Sequence, residues 1–93
     1  MIAHLERPID VNGEVWGWEL TDLDDTWGEC CIDTRMIRIH QDTHGRSELN
    51  TCIHEMLHAQ HPGWDHRKIN QRAREMTDFL WEYGYRCQRT ITE

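Results

Sequence analysis

Within the fifteen residues CIHEMLHAQHPGWDH, Cys52 to His66, this 93-residue chain places four histidines and one glutamate. His54, Glu55 and His58 follow the pattern H-E-x-x-H. Residues four apart stand one above the other on a helix, so His54 and His58 can present imidazole nitrogens to a single ion. Glu55 is turned about 100° from His54, beside an ion-bound water and outside the ligand set, where a general base belongs. Leu49, Ile53 and Met56 form an apolar stripe on the same helix, which leaves the histidine face oriented and polar.

A catalytic zinc takes three protein ligands and keeps one position for water. If Pro62 and Gly63 turn the chain and a second helix runs back antiparallel, residues equidistant from the turn face each other. His58 then lies opposite positions 66 and 67, and His54 opposite 70 and 71. This favours His66 as the third ligand. Asp65 is a rival unless it caps the second helix, His61 sits in the turn, and Asn70 is a poorer donor. Glu75, Asp78 and Glu82 meet the first helix upstream of the motif or overshoot it.

The elements that must position these residues can be read along the chain. In IDVNGEVWGWEL an Asn12-Gly13 turn signal precedes strand formers Val15, Trp16 and Trp18. TDLDDTWGE is acidic and reads as a loop. Residues 29–40, ECCIDTRMIRIH, contain two short apolar runs about Asp33-Thr34-Arg35, and in the second, Met36, Arg38 and His40 alternate with Ile37 and Ile39, the period of a half-buried strand. Leu49, Cys52, Ile53, Met56 and Leu57 recur at helical spacing over about 46–60, with Ser47 at the N-cap or in the first turn. A second helix begins near Asp65, carries an inward stripe of Ile69, Ala73, Met76, Thr77 and Leu80, and ends at Gly84 after Tyr83. Residues 1–93 therefore read as one α+β domain, a small antiparallel or mixed sheet of about three strands followed by a two-helix hairpin.

Composition narrows the function classes. The formal charge of -7 opposes a surface built to grip a nucleic-acid backbone. The local basic group Arg67, Lys68, Arg72 and Arg74 spreads around more than one helix face and reads as solvated surface. No stretch approaches the ~20 apolar residues of a membrane span. The N-terminal MIAHLERPID has no apolar signal core, so a cytoplasmic setting is expected. Cys30, Cys31, Cys52 and Cys87 lack the spacing of a structural zinc site and are expected as free thiols. Five tryptophans are expected to supply much of the core.

The glycine-containing loop at Trp27-Gly28, the strand MIRIH that follows it, the HExxH helix ELNTCIHEMLHA and the closing FLWEYGYR give the chain a resemblance. It resembles minimal zincin metallopeptidases of the small phage and bacterial type, and more distantly SprT-like and ImmA/IrrE-like peptidases. The metzincin extension is absent, because His61 and Trp64 stand where that pattern needs glycine and histidine. The resemblance implies a minimal zincin-like fold in which Zn2+ is held by His54, His58 and His66, the last at a position where a relative often carries glutamate. It implies Glu55 as general base and a peptide or protein substrate laid along an edge strand, for which MIRIH is the candidate. The setting would be the cytoplasm of a bacterial or phage-infected cell. The alternative is a zinc-stabilised binding or regulatory module without activity. Glu55 separates the two, since a structural staple has no use for a carboxylate beside an open coordination position.

Overall fold

The computed structural model describes residues 8–86. Asn12 and Gly13 both adopt positive φ, 51° and 83°, which matches the right-handed twist of the strands that they join. They connect β1 (Ile9–Val11) to β2 (Glu14–Thr21) as an antiparallel pair in the register Ile9 to Trp16. A second hairpin links β3 (Gly28–Cys31) to β4 (Met36–His40), with Arg35 N–H donating to the Ile32 carbonyl at 3.2 Å across its turn. β4 also pairs in parallel with β2, Trp18 facing Ile37 and Leu20 facing Ile39.

The sheet is mixed and four-stranded, in the order β1-β2-β4-β3. It has one strand more than expected, because the three-residue β1 is too short to show an alternation of its own. The order also corrects the reading of MIRIH. As β4 it is bonded on both sides and cannot receive a further strand; the free edge on that side of the sheet is β3.

Helices α1 (Gly45–Gln60) and α2 (His66–Tyr83) follow. The Asp65 carboxylate caps α2 by accepting from the Lys68 N–H at 2.8 Å, and Gly84 closes it at φ 116°, where a side chain would be strained. α1 starts after His44, with Ser47 in its first turn.

Packing puts α1 in the middle. One of its faces covers β3 and β4, and another packs against α2, which rests on no strand among the described elements. Two buried clusters result. Val11, Trp16, Leu20, Ile37, Ile39 and Ala59 fill the space between sheet and α1, while Leu57, Ile69 and Ala73 join the helices. Glu19, Glu29 and Arg38 stand on the other sheet face, where the guanidinium bridges both carboxylates at 2.8 and 3.1 Å.

Several apolar residues lie further out than helical or strand periodicity alone predicts. Trp16 is the one tryptophan in the buried core; Trp18 and Trp64 pack at cluster margins, and Trp27 is 60% exposed. Met76 is also exposed, so the inward stripe of α2 is Ile69, Ala73 and Thr77, with Leu80 half-buried. Cys52 is exposed because α1 overhangs the sheet at that point only partly. The basic residues Arg67, Lys68, Arg72 and Arg74 are all exposed. No helix among the described residues is long and apolar enough to cross a membrane.

Ile69 has no accessible surface and is a principal contact between the helices. Ile69→Ala should cost about 2 to 5 kcal/mol, the range for an aliphatic core side chain cut to a methyl. Denaturant unfolding checks it, and a loss below about 1 kcal/mol would contradict this packing.

Candidate metal centre

Around α1, the sheet takes the direction of Glu48, Glu55 and Ala59, and α2 takes that of Ile53 and Leu57. The sector between them, open toward the β3 edge, carries His54 and His58. The turn at Pro62 and Gly63 brings α2 back with His66 in its first turn. The three rings converge, with centroid separations of 4.8 Å for His54 and His58, 5.0 Å for His54 and His66, and 5.2 Å for His58 and His66.

Each ring offers a nitrogen, and the three donor atoms lie within 4.8 Å of one another, forming the one such group of histidine, cysteine or carboxylate donors among the described residues. The Nε2 atoms of His54 and His58 are 3.1 Å apart. Two ligands at tetrahedral angles on zinc, with bonds of about 2.0 to 2.1 Å, have nitrogens roughly 3.3 Å apart, so the pair is set at the spacing of a shared ion. Burial, then the neighbouring His58 and His66, lowers the pKa of His54; burial, then His66, lowers that of His58. Both shifts favour the neutral ring, which is the metal-binding form. The donor set therefore fits a first-row divalent ion, zinc among them.

The rival ligands are engaged elsewhere. His61 stacks flat on Trp64 at 3.8 Å, with the Lys68 ammonium 4.4 Å from the same indole. Asp65 is the α2 cap. Glu75 accepts from Gln71 and Arg72, and Asp78 pairs with Arg46. Asn70 is exposed on α2 and its amide does not join the trio.

Glu55 does not join the donor group either. Its side chain lies between α1 and β3 with 7% exposure. A Cβ built on Gly28 would stand 3.0 Å from both Cγ and Oε2 of Glu55 and 2.7 Å from Cγ2 of Thr51. Glycine at 28 is thus what lets the helix bring this carboxylate to the strand. Burial, and secondarily the charge of Glu29, pushes the Glu55 carboxyl up to about 7. A carboxyl with that value exchanges a proton readily near neutral pH.

These groups line one open pocket of about 410 Å3. Gly28, Cys30 and Ile32 form one wall, His54, Glu55 and His58 the floor, and Pro62 and His66 the opposite side. The pairing of β3 sets what its edge offers. The His40 N–H donates to the Trp27 carbonyl at 2.8 Å, so Trp27, Glu29 and Cys31 are the positions bonded to β4. The backbone groups of Gly28 and Cys30 turn the other way. Those of Gly28 are met by the Thr26 hydroxyl, which donates to its carbonyl at 2.9 Å and accepts from its N–H at 3.4 Å. Cys30 is left as the position where the edge backbone faces the pocket.

Sequence reasoning named the trio and Glu55 but not this wall. Gly28 and Cys30 precede His54 by 26 and 24 residues, and only the sheet order shows that their strand is the edge. Against models of known families, curated proteins and solved structures, the chain matches none.

Cys30 gives a check on the pocket. Burial, then the charge of Glu55, then Cys31, pushes its thiol up to about 11 from 9.0. Since the thiolate is the nucleophile, Cys30 at pH 8 should alkylate about a hundredfold more slowly than the same thiol in denatured protein. The gap should close as the pH rises toward about 11. Residue-resolved mass spectrometry reads it, and an unprotected Cys30 would mean that β3 does not sit against α1 as described. Neither Cys31 nor Cys52 is bridged by a disulfide, whereas Cys87 lies outside the described residues.

Proposed function

We propose that the protein is a zinc-dependent hydrolase, specifically a peptidase, with zinc held by His54, His58 and His66 and Glu55 as general base. The observation that carries this reading is the composition of the site. Three donors converge with no fourth among the described residues, and the buried carboxyl of Glu55 shares their open pocket without joining the donor group. Three protein ligands with one free position is the pattern of catalytic zinc; structural sites use four.

When bound, the metal supplies Lewis acidity and a water whose pKa falls toward about 7. The chain's own groups then have separate tasks. The histidines, kept neutral by burial and by each other, hold the ion against the open side of α1. Glu55 takes the proton of the attacking water and returns it to the leaving amine. Its burial excludes bulk water from that transfer. Cys30, on the free edge, can add one pair of backbone hydrogen bonds to an extended peptide, which aligns the scissile carbonyl over the histidines. This replaces MIRIH by GECC as the strand that receives substrate. The expected setting is the cytoplasm, and the resemblance to minimal zincins of phage and bacterial type is consistent with this chemistry.

Two experiments test the reading. Protein purified without added zinc should contain about one equivalent per chain. His66→Ala should lose the metal and lower the thermal midpoint, while Glu75→Ala and Asp78→Ala keep it. Retention of zinc by His66→Ala, or a folded metal-free protein, would refute the assignment.

Glu55→Gln preserves shape and removes the base. Wild type and variant, both loaded with zinc, are incubated with unstructured polypeptides and cell extract, and new termini are followed by mass spectrometry. The variant should be slower by about 10² to 10⁴, the usual contribution of a general base. Equal cleavage by both proteins, or cleavage by neither, argues for the non-catalytic zinc module.

A further inference from the structure

Trp27 lines two cavities beside β3, and its neighbours Thr26 and Gly28 line a third, the pocket over the histidines. The pocket over the histidines, about 410 Å3, is walled by Thr26. A second, of about 370 Å3, runs along the first turns of α1 and is lined by Trp27, Asp42, His44, Asn50 and Thr51. A third, of about 230 Å3, lies beyond the edge strand, with Asp24, Asp25, Thr26, Trp27 and His40 in its walls. Thr51 and Gly28, packed so closely that a Cβ on the glycine would be 2.7 Å from the threonine methyl, separate the first cavity from the second. A chain laid along the free edge of β3 reaches Trp27 one residue beyond Gly28, on the side where Thr26 is shared by the first and third cavities.

The indole is 60% exposed and meets the His40 ring edge-on at 5.2 Å. Phe79 and Tyr83 are more exposed still, so what marks Trp27 is its place in the walls of two cavities. The charges around it have one sign. Asp24 and Asp25 lie in one flank and Asp42 in the other, with Asp22 3.5 Å from the far nitrogen of His40. Among the described residues no lysine or arginine lines any of the three cavities. These aspartates do not converge on a point, since the histidine trio is the one donor group close enough to share an ion among the described residues. Their spread suits a flat, extended cation better than a metal.

We propose that Trp27 is the platform of a specificity subsite for a cationic side chain, and that the substrate is an extended polypeptide with arginine or lysine on the Trp27 side of the reacting bond. The proposal rests on the peptidase reading and gives it a substrate class. A guanidinium over the indole face gains a cation–π contact while its N–H groups reach the flanking carboxylates. An acidic residue there would meet like charge, and an apolar one would cover the indole but desolvate the aspartates without pairing them.

The test uses zinc-loaded Glu55→Gln protein, in which peptides stay intact, and two unstructured peptides identical except for arginine or its neutral isostere citrulline at one position. Affinity and the Trp27 indole N–H signal are followed together by NMR titration. The arginine peptide should bind about tenfold more tightly and move that signal, and the preference should shrink in high salt. Trp27→Ala should abolish the preference and Trp27→Phe keep part of it. Equal affinity for the two peptides, no binding of either, or a preference that survives Trp27→Ala overturns the proposal. So does a neutral oligosaccharide that moves the Trp27 signal when the arginine peptide does not. Arginine preference at Trp27 in a protein whose wild type cleaves nothing would uphold the subsite and reject the peptidase reading, so the two failures are distinguishable.

Discussion

The close approach of Glu55 to Gly28 is the contact on which the arrangement turns. A side chain at 28 would collide with the carboxylate and with Thr51, pushing α1 off the edge of the sheet. With α1 seated, Ala59 and Met56 reach the sheet core and Leu57 and Ile53 are left facing α2. The sector that remains holds His54 and His58, so one backbone approach fixes the orientation of the whole helix, including the residues that touch neither strand nor carboxylate. The free edge of β3 borders the pocket for the same reason.

That seating has an electrostatic cost. A carboxyl whose pKa rises from 4.5 to about 7 on folding binds more protons folded than unfolded, so its contribution to stability falls as pH rises from about 4.5 through 7. Ionised at higher pH, Glu55 opposes folding. Nothing in the packing requires that cost, because an apolar side chain of similar size would fill the same space at Gly28 without it. The lowered histidine pKa values carry a penalty of the opposite kind, since each ring gives up a charge it could hold in water. Sites that carry such costs are where function is to be looked for.

Local chemistry in the sequence translated well into local structure. Asn12-Gly13 marks a hairpin, Asp65 and Gly84 bound α2 to the residue, and the arithmetic of an antiparallel turn at Pro62 leads from His58 to His66. What depends on distant partners did not. MIRIH has the alternation of a strand with one face buried, and that pattern is the same for an edge and an interior strand, so its pairing with both β2 and β3 leaves no trace in its own residues. Periodicity also overstated burial. Met76 falls on the apolar stripe of α2 and is nonetheless exposed, and composition overstated burial too, since Trp27, counted toward the core with the other tryptophans, is 60% exposed.

The small size of the domain makes stability a poor witness for what the ion does. α2 rests on α1 alone among the described elements, through a buried cluster of three residues with Ile53 and Trp64 at its margin. An ion shared by His54, His58 and His66 would tie the first turn of α2 to α1 and add binding free energy to folding whichever reading is right. Loss of structure on chelation is therefore expected of an enzyme and of a staple alike. The two readings part at the groups that the ion's hold on the helices does not need. A staple gains nothing from a costly buried carboxyl beside it, from a strand edge facing it at Cys30, or from a groove leading on toward an exposed indole. The proposed peptidase would use each of them, to bring a polypeptide to the ion and to move a proton there, and all of them lie on one side of α1.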